Sequence, residues 1–111
     1  MEAKQKEIVL LPYPFSNLEG KKVRPAIIVS NNSFNAKSSD CIMVPLTTVI
    51  KKEPYSFTID NPDLHSGMLI AESRVRADKI FCVEKKLIIK KIGEINNKTF
   101  EKVKSEIMAI L

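Results

Sequence analysis

The sequence predicts a mostly β domain with a C-terminal helix, about six or seven short strands curled into a small barrel. Short aliphatic runs recur along the chain, several of them ended by Pro, Asn or Gly, which is the spacing of strands and turns. The last segment changes period: Phe100, Val103, Ile107 and Ile110 follow one another at helical spacing, with lysines between them. A chain of 111 residues with 44% hydrophobic and 28% charged residues suits one compact domain, taken here as residues 1–111, and excludes a disordered chain.

The elements follow in order. Glu7–Leu11 reads as a strand that stops at Pro12-Tyr13-Pro14-Phe15, because prolines lack a ladder donor. Ser16–Lys22 is a polar loop, and Arg24–Ser30 is a second strand. Asn31–Ser39 is a polar connection with room for one helical turn. Cys41–Val49 is a third strand, in which Pro45 argues for an edge or a bulge. Ser56–Asp60 is a fourth, Asn61-Pro62-Asp63 turns the chain, and Gly67 closes that loop. Met68–Ile70 with Glu72–Arg76 makes a fifth, and Ile80–Val83 and Leu87–Ile89 supply one or two more. Asn96 or Asn97 caps the final helix.

Charge and reactive residues narrow the chemistry. The net charge of +5 is spread over both halves of the chain, as suits a folded face that attracts a polyanion, or simply a lysine-coated surface. Cys41 and Cys82 have no second Cys or His at ligand spacing, so they are expected to be reduced, partly buried thiols. The apolar runs are too short to span a membrane, and the N-terminus lacks a secretory pattern, so the expected compartment is the cytoplasm, with no membrane partner. One histidine, His65, excludes a two-histidine acid–base pair within the chain and is expected in an exposed loop. No carboxylate cluster or glycine-rich phosphate cradle suggests a metal or nucleotide cofactor, so neither is expected.

Two features could serve an anionic substrate. Arg24 precedes Pro25, which holds it extended at a stiff strand entrance beside Lys21 and Lys22. A surface arginine at a strand start is the plainer interpretation. In Pro45-Leu46-Thr47-Thr48, alternation puts Ile42, Val44, Leu46 and Thr48 on one face, expected to be the core, and Met43, Pro45 and Thr47 on the other. A threonine pair at a strand end is ordinarily structural.

The order of these motifs is more specific than any one of them. Ile8–Phe15, then Lys22-Val23-Arg24-Pro25-Ala26-Ile27-Ile28-Val29-Ser30, then Val44-Pro45-Leu46-Thr47, together resemble the MazF/PemK family of toxin endoribonucleases. Ser73–Ile80 and Ile92-Gly93-Glu94-Ile95 with its helix extend the resemblance over roughly residues 7–110. Lys6-Glu7 departs from the family's usual Gly-Asp, and Ile80-Phe81 replaces a frequent Ile-Arg pair.

The resemblance implies an SH3-like barrel that forms homodimers and binds single-stranded RNA across the dimer interface. It implies metal-independent cleavage at short motifs by 2′-OH attack, leaving 2′,3′-cyclic phosphate and 5′-OH ends. It assigns Arg24 and Thr47 as the catalytic pair, with Thr48 as substitute if the strand phase shifts. The implied substrate contacts are Lys21, Lys22, Ser30, Asn31, Thr48, Arg74, Arg76 and Lys79, with Arg74, Arg76 or Lys79 covering for the arginine absent at Phe81. Arginine stays protonated and is a poor general base; Glu19 and His65 are the sequence's only guesses for that role. Tyr13, Phe15 and Tyr55 could stack bases, although Phe15 is expected in the core. An acidic antitoxin is the implied partner, with residues 16–23 as a gate. The competing functions are a CcdB-like protein that binds gyrase without cutting RNA, and an inactive RNA-binding barrel.

Overall fold

The computed structural model describes residues 2–13 and 22–111. Eight strands form one curled antiparallel sheet: β1 (Glu7–Tyr13), β2 (Lys22–Ile28), β3 (Asp40–Thr47), β4 (Ser56–Ile59), β5 (Leu64–Gly67), β6 (Ser73–Arg76), β7 (Phe81–Glu84) and β8 (Lys90–Ile95). Their order is β4-β6-β3-β2-β1-β8-β5, with β7 also paired to β3. Helix α1 (Asn32–Lys37) links β2 to β3, and α2 (Asn97–Ile110) follows β8. The mostly β architecture with a C-terminal helix is the one the sequence predicts.

The continuous apolar runs of β1 and β2 have a simple cause. Successive side chains leave a strand on opposite faces, and here both faces are covered. Ile8, Ile27, Val44 and Leu46 join Val75, Ile95, Phe100 and Val103 in one core. Their neighbours Val9, Leu11, Ala26, Ile28 and Met43 join Ala3, Val83 and Leu87 in a second core on the other side. Each large aliphatic side chain buried this way contributes about 1.5–3 kcal/mol. The central strands are thus fixed from above and below.

Both helices start at an asparagine cap. The Asn31 side chain accepts from the Phe34 N–H at 2.8 Å, and that of Asn96 accepts from the Thr99 N–H at 2.8 Å. Helix α2 buries Thr99, Phe100 and Val103, whereas Ile110 is exposed although its spacing continues the apolar stripe.

Several expectations are corrected. Pro45 lies neither on an edge strand nor at a bulge. On one side β3 pairs β7 through Met43 and then β6 from Leu46, and Val44 and Pro45 fall in the gap between those partners. The expected single core face of β3 is also wrong: Met43 is fully buried in the second core, Ile42 is only half-buried and Thr48 is exposed beyond the strand end. Leu64–Gly67 is a strand and not a loop, and Met68–Ile70 is not a strand. Lys85–Leu87 forms a 3-10 turn in place of the expected strand at Leu87–Ile89, and the strand is β8 instead. Cys41 is buried but Cys82 is exposed. Phe15 lies outside the described residues.

At the junction of β5 and β8 the backbone leaves no room for a side chain. Gly67 has φ of 81°, and a Cβ there would sit 2.3 Å from both Gly93 Cα and the Ile92 carbonyl oxygen. Gly67→Ala is therefore expected to destabilise the fold by more than about 1 kcal/mol, seen as a lower urea midpoint at unchanged m-value.

Candidate functional site

The ladder between β2 and β3 is short. It pairs Ile28 with Met43, Ile27 with Val44 and Ala26 with Pro45, and there it ends. Continued in the same register, it would set Pro25 beside Leu46 and Arg24 beside Thr47. Neither proline has an N–H to donate, and the strands part where they meet. Strand β2 runs on against β1 alone, pairing Arg24 with Leu11 and Lys22 with Tyr13. The parted strands open a surface cleft of about 1020 Å³, lined by Lys22, Arg24, Pro25, Pro45, Thr47, Thr48, Arg76, Asp78 and Lys79, with Tyr13, Ile80 and Phe81 among its apolar walls.

Arg24 is exposed in this cleft. Its Nη1 donates to the Val23 carbonyl at 3.2 Å, and its guanidinium carbon stands 5.4 Å from the centre of the Tyr13 ring, within cation–π range. Most of the guanidinium's donors remain available for an anion. Thr47 is half-buried, and its Oγ1 accepts from the Val49 N–H at 3.1 Å. That bond occupies a lone pair and leaves the hydroxyl proton for donation. A side chain with several charged donors and one with a single neutral donor thus face the same space.

Among the described residues, four cationic side chains and one carboxylate line the cleft. The carboxylate is not idle. Arg76 donates to Asp78 through Nε at 3.3 Å and Nη2 at 2.8 Å, a fork on a single carboxyl group. Hydrogen bonding from Arg76 holds the Asp78 carboxyl below its ordinary value, against the partial desolvation of the site. Arg76 is therefore already matched, whereas Lys22, Arg24 and Lys79 form no salt bridge among the described residues.

The other expected site residues are elsewhere. Arg74 is buried at 3% exposure; its Nε donates to the Val49 carbonyl at 3.1 Å and its Nη1 to Ser56 Oγ at 3.1 Å, so it is no surface contact for substrate. Ser30 is also buried: its hydroxyl donates to Asn35 and accepts from the Ile42 N–H at 3.0 Å. Asn31 caps α1, and neither residue lines the cleft. Arg74 and Ser30 are thus enclosed and hydrogen-bonded, and exposed Asn31 serves as a helix cap, so the expected substrate contacts at these three positions are not part of the cleft. His65 is exposed on β5, not in a loop, and it does not line the cleft. Tyr55 is exposed in a turn and does not line the cleft, with φ of 60°. Lys21, Glu19 and most of the expected gate at residues 16–23 lie outside the described residues. Asp78 and Ile80 are cleft residues that sequence reasoning overlooked; the Arg-Ala-Asp order at the end of β6 was the available signal.

Comparison with known proteins gives a consistent family. Residues 4–111 match the family model described as PemK-like, MazF-like toxin of type II toxin–antitoxin systems. A search of curated proteins found no match. Among solved structures, an endoribonuclease in complex with its cognate antitoxin from a Mycobacterial species is similar with a TM-score of 0.76 at 24% identity, covering 96% of this chain and 92% of that one. A MazE–MazF complex (Form-III) from Deinococcus radiodurans is similar with a TM-score of 0.79 at 17% identity, covering 99% and 96%. At these identities the structural likeness is one of fold.

The Arg76–Asp78 fork sets a pH dependence. A carboxyl whose folded pKa is depressed stabilises the fold above its unfolded pKa, and that contribution is lost as pH falls through the folded value. NMR titration should place the Asp78 midpoint below 3.8, and Arg76→Ala should return it toward that value. An unchanged midpoint in the variant would assign the shift to another cause.

Proposed function

The chain belongs to the PemK-like, MazF-like toxins of type II toxin–antitoxin systems, and from that premise we propose that it is an endoribonuclease that cuts single-stranded RNA at short sequence motifs. In this proposal it needs neither metal nor cofactor, and cleavage of mRNA arrests translation and growth. What carries the proposal is the meeting of Arg24 and Thr47 in one cationic cleft, at the ends of strands that part there.

The chemistry asks for little more than these groups. The RNA brings its own nucleophile. The 2′-OH gives up its proton to water, its oxygen forms a bond to the adjacent phosphorus, and the bond from phosphorus to the 5′-oxygen breaks. The departing oxygen takes a proton from water, leaving a 2′,3′-cyclic phosphate and a 5′-OH. Negative charge grows on the non-bridging oxygens as phosphorus reaches five bonds. Arg24 meets that charge with charge-assisted donors and Thr47 with its hydroxyl. Lys22 and Lys79 suit flanking phosphates, and Tyr13 offers a ring on which a base can stack. DNA lacks the 2′-OH and is not a substrate for this route.

The same charge suits an inhibitor. A protein antitoxin with an acidic segment that orders on binding would occupy Lys22, Arg24 and Lys79 in competition with RNA. We further propose a homodimer acting in the cytoplasm, where mRNA is translated. In support of pairing, the exposed apolar side chains Val23, Val49 and Ile80 line this cleft and suit a second protein surface.

Purified protein incubated with a long RNA in EDTA should cut it, and end mapping should reveal the motif and the cyclic phosphate. Arg24→Ala should stay folded and lose on the order of 100–1,000-fold in rate, by analogy with the loss of an oxyanion donor. A strict Mg²⁺ requirement, or binding without cleavage, would reject the proposal. RNA affinity should fall with salt at a log–log slope of about −0.7 per neutralised phosphate.

A further inference from the structure

Arg74 faces Thr47 in the β3–β6 ladder, yet its side chain is enclosed. A buried guanidinium ordinarily has a carboxylate beside it. Among the described residues Arg74 forms no such ion pair. It serves two neutral acceptors instead, the Val49 carbonyl and Ser56 Oγ, each at 3.1 Å. Ser56 Oγ in turn donates to the Glu53 carbonyl at 2.9 Å. Residues 48–55 are all exposed and lie outside any strand, so these bonds, with that from the Ala77 N–H to the Tyr55 carbonyl at 3.1 Å, tie the segment down.

Val49 is held at both ends. Its carbonyl accepts from Arg74 Nε, and its N–H donates to Thr47 Oγ1. We infer that Arg74 is a positioning residue for the cleft: by fixing Val49 it fixes the rotamer of Thr47, so that the hydroxyl proton is presented to the phosphate. The inference rests on the proposed catalytic role of Thr47. It gives the buried arginine a function that substrate contact cannot, since its exposure is only 3%. The cost of a misplaced donor can be large, because a shift of about 1 Å at a reacting centre can cost about 100-fold in rate.

The test uses the full chain in four forms beside the wild type: Thr47→Ala, Arg74→Met, Arg74→Lys and the double variant Thr47→Ala/Arg74→Met. Circular dichroism and thermal melts check folding, and Arg74→Lys keeps the charge and one donor if the methionine variant does not fold. Arg74→Met should lower kcat on the order of 10- to 100-fold with KM moving less than about twofold. Arg74→Lys should recover part of the loss. The double variant should be no slower than Thr47→Ala alone, because both changes remove the same placed hydroxyl. Amide exchange at Val49 should quicken at least about tenfold in Arg74→Met while Ile27 in β2 stays protected. Multiplicative losses in the double variant, or unchanged exchange at Val49, would overturn the inference. Wild-type cleavage by Thr47→Ala would instead overturn the catalytic reading beneath it, and is told apart because Val49 exchange would still respond to Arg74.

Discussion

The parting of β2 from β3 beyond Ala26 and Pro45 is the constraint on which the rest depends. Two strands that pair in register over three residues are forced to separate where a proline stands on each. Had the ladder continued, Arg24 and Thr47 would have been cross-strand neighbours in a closed sheet, with their backbone groups paired and no space between them. With the strands apart, both side chains line one open cleft. Rigidity comes from the same strands. With Ile27 in one core and Ala26 and Ile28 in the other, β2 is packed on both faces, and Arg24 stands two residues beyond that anchor. A site on strand ends held by two cores is placed more firmly than one on a loop.

Charge in the cleft is organised more finely than the net value suggests. Among the described residues, Arg76 is forked onto Asp78, whereas Lys22, Arg24 and Lys79 line the cleft without an ion pair.

Much of this was legible in the sequence. Arg24-Pro25 and the threonine at the end of the third strand stood out because proline constrains its neighbours in known ways, and the final helix was marked by its period and by Asn96. The rest was hidden for physical reasons. Strand β8 carries Lys90, Lys91 and Glu94, and a register shift between Ile8 and Val9 of its partner upsets the alternation that would reveal it. Strand β5 has a single large apolar residue, Leu64, and exists through its ladder to β8 alone. Arg74 and Arg76 are two apart and look equivalent, but the segment after Thr47 encloses one and the cleft receives the other. Ser30 reads as a surface polar residue at a strand end, and only the fold shows that Asn35 and Ile42 surround it. Tertiary neighbours, not local preference, decided each of these positions.

The pairing of β1 with β8 joins Glu7 to Glu94 and Ile8 to Gly93, positions near opposite ends of the chain. Such long-range pairing makes for slow folding. On a ribosome, β1 must wait until Lys90–Ile95 has emerged before its outer neighbour exists. A truncated product released early would hold the residues of the cleft but lack the strand that closes one side of β1 and the helix that covers one core. Termination before β8 thus yields a chain short of its own closing strand.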